Sequence, residues 1–137
     1  MNLSLVDAFG KFGAKPHNRV YGLSAMAADG AVVLNCSKAY FGHPSPGVLR
    51  YEDRLSRESA ESKESVLLSQ HLTRALEGAL PVRMVVMSTE GDDRGGRRFH
   101  VRSDLIGKLV KFDGDHFTID FTRREEIRPA AVSARRK

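Results

Sequence analysis

The stretch Arg97 to Thr122, RRFHVRSDLIGKLVKFDGDHFTIDFT, decides the fold. Phe117, Ile119 and Phe121 alternate with His116, Thr118, Asp120 and Thr122, while Val110 and Phe112 alternate with Lys108 and Lys111. A period of two gives one apolar and one polar face, and Asp113-Gly114-Asp115 between the two runs is turn chemistry. The pattern predicts a hairpin preceded by a short strand at Arg97–Arg102. Three phenylalanines and an isoleucine on one face need a second layer, which the rest of the chain must supply.

Upstream of it, Ser62 to Leu80 predicts the longest helix. Ser62 is a cap, Glu64 and Glu77 suit a solvated face, and Leu68, Leu72, Ala75, Leu76 and Ala79 form the buried stripe. Pro81 ends it. Val82 to Ser88 is apolar on both sides and reads as a central strand. Leu3 to Phe12 predicts a short amphipathic helix through Leu5, Phe9 and Phe12.

Asn18 to Lys38 reads as a hairpin turning at Asp29-Gly30, with Val20, Tyr21, Leu23 and Met26 in its first arm. The small residues Gly22, Ser24, Ala25, Ala27 and Ala28 leave room for another element to approach. Tyr40 to Leu49 has two prolines and two glycines and reads as loop; Arg50 to Lys63 reads as an exposed connection. Glu90 to Gly96 is a polar, glycine-rich loop. The expected fold class is α+β: an antiparallel or mixed sheet, made of two hairpins plus central strands, packed on one long helix with a short N-terminal helix. Residues 1–122 should form a single globular domain and residues 123–137 a loosely held basic tail.

The 137-residue chain carries a formal net charge of +5. Residues 123–137 hold six basic and two acidic side chains, against 16 basic and 15 acidic in the rest. The body is therefore nearly neutral, and a generally basic, DNA-coating surface is not supported. No apolar run approaches the roughly 18 residues that span a bilayer, and the N-terminus lacks a basic n-region, so no membrane association is expected. The single cysteine, Cys36, allows no internal disulfide and reads as a small buried hydrophobe, which fits a cytoplasmic location.

Catalytic patterns are sparse. The five histidines include no HExxH pair, one cysteine excludes the familiar zinc frames, and Gly91 to Gly96 lacks the Gly-Lys-Ser/Thr ending of a phosphate loop. Asp113, Asp115, His116 and Asp120 form the densest acid-and-imidazole cluster, but Asp-Gly-Asp is ordinary turn chemistry. The expectation is a non-enzymatic protein without cofactor or metal.

The best binding constellation is basic. Arg98, His100 and Arg102 fall on the face opposite Phe99 and Val101, and Arg94 and Arg97 flank them on the glycine loop. Arginine forks and glycine-loop N–H groups are suitable donors to phosphate oxygens. Arg123 and Arg124 extend the charge into the tail. Tyr40 and Phe41 are candidate stacking platforms. Nucleic acid is thus the expected partner. The alternative is a protein-interaction or inhibitor module, or a homodimer, using a sheet edge or the Tyr40–Leu49 segment.

Overall fold

A computed structural model describes residues 3–19, 22–57, 62–88 and 98–123. Among these residues it is a mixed α+β structure of two helices and an eight-stranded sheet. Helix α1 (Leu5–Gly10) starts at Ser4, whose Oγ accepts from Asp7 N over 3.0 Å. Strands β1 (Ser24–Met26) and β2 (Val32–Ser37) follow, then a 3₁₀ turn (Lys38–Tyr40), β3 (Phe41–Ser45) and β4 (Val48–Arg54). Helix α2 (Lys63–Gly78) begins at Ser62, whose Oγ accepts from Ser65 N over 3.1 Å. The chain then forms β5 (Val82–Ser88), β6 (Arg98–Val101), β7 (Leu105–Phe112) and β8 (His116–Arg123).

The sheet order is β1-β2-β5-β7-β8-β4-β3, with β6 also on β5. β2 and β5 run parallel, and the other pairs are antiparallel. β5 is thus central, and its alternate residues serve two cores. Met84 and Val86 face α2 with Leu68, Leu72 and Ala75; Val85 faces α1 with Leu5, Ala8 and Phe9. The small side chains of Ala25, Ala27 and Ala31 are what let α1 lie against the sheet. Cys36 is fully buried on the α2 side, and burial raises its thiol pKa. Thiolate chemistry is thereby suppressed.

The sheet curls around α2. Three strands separate β2 from β4, so a flat sheet would hold them about 19 Å apart. Instead Ser37 N, at the end of β2, donates to Tyr51 Oη of β4 over 3.0 Å. Tyr51 Oη in turn donates to Asp53 Oδ2 at 2.7 Å.

Several sequence expectations are corrected. Residues 41–54 are two strands rather than loop and exposed connection, and Tyr51 is only 1% exposed. Pro44 is tolerated because β3 is the last strand of the sheet and its ladder shifts register between Gly42 and Ser45, where a missing N–H breaks little. Glu64, expected on a solvated face, is buried, because it lies one turn before Leu68 and continues the stripe; its carboxylate accepts from Leu23 N over 3.1 Å. Leu76, expected in that stripe, is exposed, since the helix leaves the core after Ala75.

Val110 also points outward, 45% exposed, as plain alternation after Leu109 requires, and the bulge between Leu109 and Lys111 then turns Phe112 back to the core. The inner face of that strand is Leu105, Gly107 and Leu109. Arg123, expected to begin the tail, ends β8 opposite Leu105. Val20 and Tyr21, the Glu90–Gly96 loop and residues 124–137 lie outside the described residues.

Candidate polyanion-contact surface

β6 owes its two-faced character to alternation. Phe99 is buried in the α1-side core and Val101 packs against it, so Arg98 and His100 fall on the other side. His100 stands opposite Val86 of β5. The parallel β2–β5 pairing carries the end of β2 alongside, and the 3₁₀ turn that follows packs against β5. Lys38 is thereby brought towards His100. Partial burial, then the charges of Arg102 and Lys38, hold the exposed His100 imidazole below its ordinary pKa.

Arg102 lies just past β6 in the turn to β7. Its Nε and Nη2 donate to Asp104 Oδ1 and Oδ2 at 3.1 and 3.0 Å, a bidentate fork. Asp104 is held below the usual carboxylate range, first by Arg102 and more weakly by the charge of Arg123. Arg123 arrives there because β8 ends opposite the start of β7.

Of the basic residues singled out in the sequence, Arg102 and Arg123 meet around Asp104 at the junction of β6, β7 and β8, His100 stands near Arg102, and Arg98 begins β6 at its opposite end. Arg94, Arg97 and Arg124 lie outside the described residues. Lys38 carries no local signal, since only the β2–β5 crossover brings it close. Asp104 is legible as a carboxylate two residues from Arg102, although its second neighbour, Arg123, is not.

The two aromatic candidates separate. Tyr40 is 41% exposed and lines a groove of about 600 Å³ between the 3₁₀ turn and the ends of β4, β7 and β8. Phe41 turns inward, its ring 4.8 Å from that of Tyr51, and packs on the core.

The acid-and-imidazole cluster converges only in part: His116 Nδ1 lies 3.7 Å from Asp113 Oδ2 and 3.8 Å from Asp115 Oδ2, while Asp120 is held elsewhere. Asp120 forms a bidentate pair with Arg50, its cross-strand neighbour, at 2.7 and 3.0 Å. Asp113 Oδ1 accepts from the N–H groups of Asp115 and His116, and Asp115 accepts from Ser56 N and Oγ. Among the described residues, no set of three or more such side chains is placed to hold a metal ion.

One pairing has no counterpart in the sequence pattern. His71 Nδ1 lies 2.7 Å from Ser24 Oγ, and Glu64 is close enough to influence the ring. Ser24 is 1% exposed, so this hydroxyl is withheld from any substrate and joins α2 to β1 instead. The chain matches no protein-family model, and neither the curated proteins nor the solved structures contain a match.

Proposed function

We propose that this protein is a small, non-enzymatic, cytoplasmic binding module that contacts the phosphate backbone of nucleic acid. Its contact surface is the exposed side of β6 and the turn after it. The observation that carries this reading is the setting of His100, flanked by Lys38 and Arg102 from distant parts of the chain. Cations gathered around an exposed ring create the local positive potential that phosphate oxygens seek. A further cation, Arg123, reaches the same junction through Asp104.

Fluorescence anisotropy with a labelled oligonucleotide tests the reading. Arg98→Ala with Arg102→Ala should weaken binding more than removal of residues 124–137 does. A double variant that binds like the parent overturns it.

A second reading, a protein-interaction module or homodimer, is favoured by one observation. Exposed Val110 borders a shallow hollow of about 540 Å³ that includes Leu80, Pro81 and Ile106. Strand addition at β3 is disfavoured, since Pro44 and the register shift blunt that edge. Light scattering at two concentrations separates the readings: a mass rising towards a dimer, abolished by Val110→Lys, supports the second.

A further inference from the structure

The groove beside Tyr40 has a chemistry different from the basic surface. One wall is the exposed ring of Tyr40, while Phe117, which also borders the groove, is buried in the core. Its polar rim mixes acceptors and donors: the three carboxylates of Glu52, Asp53 and Asp113 stand with the two cations Arg54 and Lys111 and the hydroxyl of Thr118. A phosphate would meet repulsion from those carboxylates. A flat neutral ring bearing N–H donors beside carbonyl or ring-nitrogen acceptors would meet partners for both, with an aromatic face to lie against. The volume, about 600 Å³, is within the range of small-molecule sites.

The groove is joined to the basic surface by one short rigid element. Lys38 begins the 3₁₀ turn and Tyr40 ends it. At about 2 Å of rise per residue, the two positions are separated by roughly 4 Å along the axis. Neighbouring nucleotides of one strand can therefore meet both.

We infer that this groove seats one unpaired nucleobase, stacked on Tyr40, while the phosphates of the same strand lie on the Lys38, His100 and Arg102 surface. The inference rests on the nucleic-acid reading above and narrows it to single-stranded partners. In a duplex the bases are stacked inside and cannot enter. Base-on-aromatic stacking tolerates any base, so the site confers a preference for single strands rather than for a sequence.

The test compares one short single-stranded oligonucleotide of mixed sequence with its abasic counterpart of equal length and equal phosphate count, at fixed salt. The full chain should bind the base-bearing strand about tenfold more tightly. Tyr40→Ala should erase that ratio while leaving abasic binding unchanged, and Tyr40→Phe, which keeps the ring, should preserve it. Equal binding of the two strands by the parent, or a ratio that survives Tyr40→Ala, overturns the base seat and leaves the phosphate surface standing. Absence of binding to either strand overturns both. Loss of abasic binding as well in Tyr40→Ala, with Tyr40→Phe normal, assigns the ring to the phosphate surface and likewise overturns the seat.

Discussion

Gly107 of β7 stands directly opposite Phe121 of β8, and the phenyl ring lies where a β-carbon on Gly107 would have to be. A methyl placed there would come within 2.5 Å of Phe121 Cε1 and 2.9 Å of Ile119 Cγ2. The absent side chain lets the aromatic ring cover the strand and fill the core against α2. The junction that presents Arg102, Asp104 and Arg123 begins two residues away, so its geometry depends on this fit.

Gly107→Ala should therefore destabilise the fold by about 1–3 kcal/mol through overpacking. Gly10→Ala, at the open end of α1 where an added methyl would meet no neighbouring atom, should be neutral or stabilise by up to about 1 kcal/mol. Urea unfolding of both variants checks the contrast. Equal midpoints would show that the ring is free to move aside.

Tyr51→Phe should cost about 1–3 kcal/mol, because it leaves the part-buried Ser37 N–H without its acceptor and removes the donor to Asp53. The loss should appear in thermal unfolding. It should also raise amide exchange at Ser37, where the curled sheet meets itself.

Two histidines give pH effects of opposite sign. His71 is half-buried against Ser24, and its pKa is lowered by burial first and then by Arg74, against a smaller opposing effect of Glu64. His100 is lowered as well. A group whose folded pKa is depressed contributes stability that is present above its unfolded value, near 6.5, and lost as pH falls through the folded value. Thermal midpoints should thus fall on acidification below about pH 6.5, and His71→Gln should flatten that trend. A bound phosphate instead favours protonated His100, so nucleic-acid affinity should rise over the same interval. His100→Asn should remove that rise. Affinity independent of pH in the parent would place His100 away from the ligand.

Asp104→Asn should tighten nucleic-acid binding severalfold. Its carboxylate occupies the fork of Arg102 with the geometry that a phosphate would need, and its charge offsets Arg123. The exposed pair adds little to stability, so the unfolding midpoint should move little. Unchanged or weaker binding would mean that Arg102 does not meet the phosphate.

Much of this architecture is legible from spacing alone. Phe117, Ile119 and Phe121 face inward as their alternation demands, and the stripe Leu68, Leu72 and Ala75 meets them. Spacing misleads where tertiary context overrides a local signal. Prolines at 44 and 46 suggest loop, yet an edge strand accepts the missing donor of Pro44, and Pro46 falls in the turn before β4. Tyr51 lies in a charged run that reads as solvent-exposed, and nothing local marks it as the residue that closes the sheet.

The site divides in the same way. Arg98 and His100 follow from the β6 alternation and Tyr40 from its exposed segment, whereas Arg102 lies in the turn beyond the strand. Lys38 is separated from His100 by 61 intervening residues, and the approach depends on a parallel crossover that no short-range pattern encodes. Asp104 is visible in the sequence as a carboxylate two residues from Arg102, but its grip on Arg102 needs the turn geometry after β6.

The most direct test of the phosphate surface is the salt dependence of oligonucleotide affinity for the parent and for the Arg98→Ala, Arg102→Ala variant. Each lost phosphate contact should reduce the slope of log affinity against log salt by about 0.7 on a single strand, so the double variant should lie roughly 1.4 below the parent. Superimposable slopes would contradict the claim that this face of β6 meets the phosphate backbone.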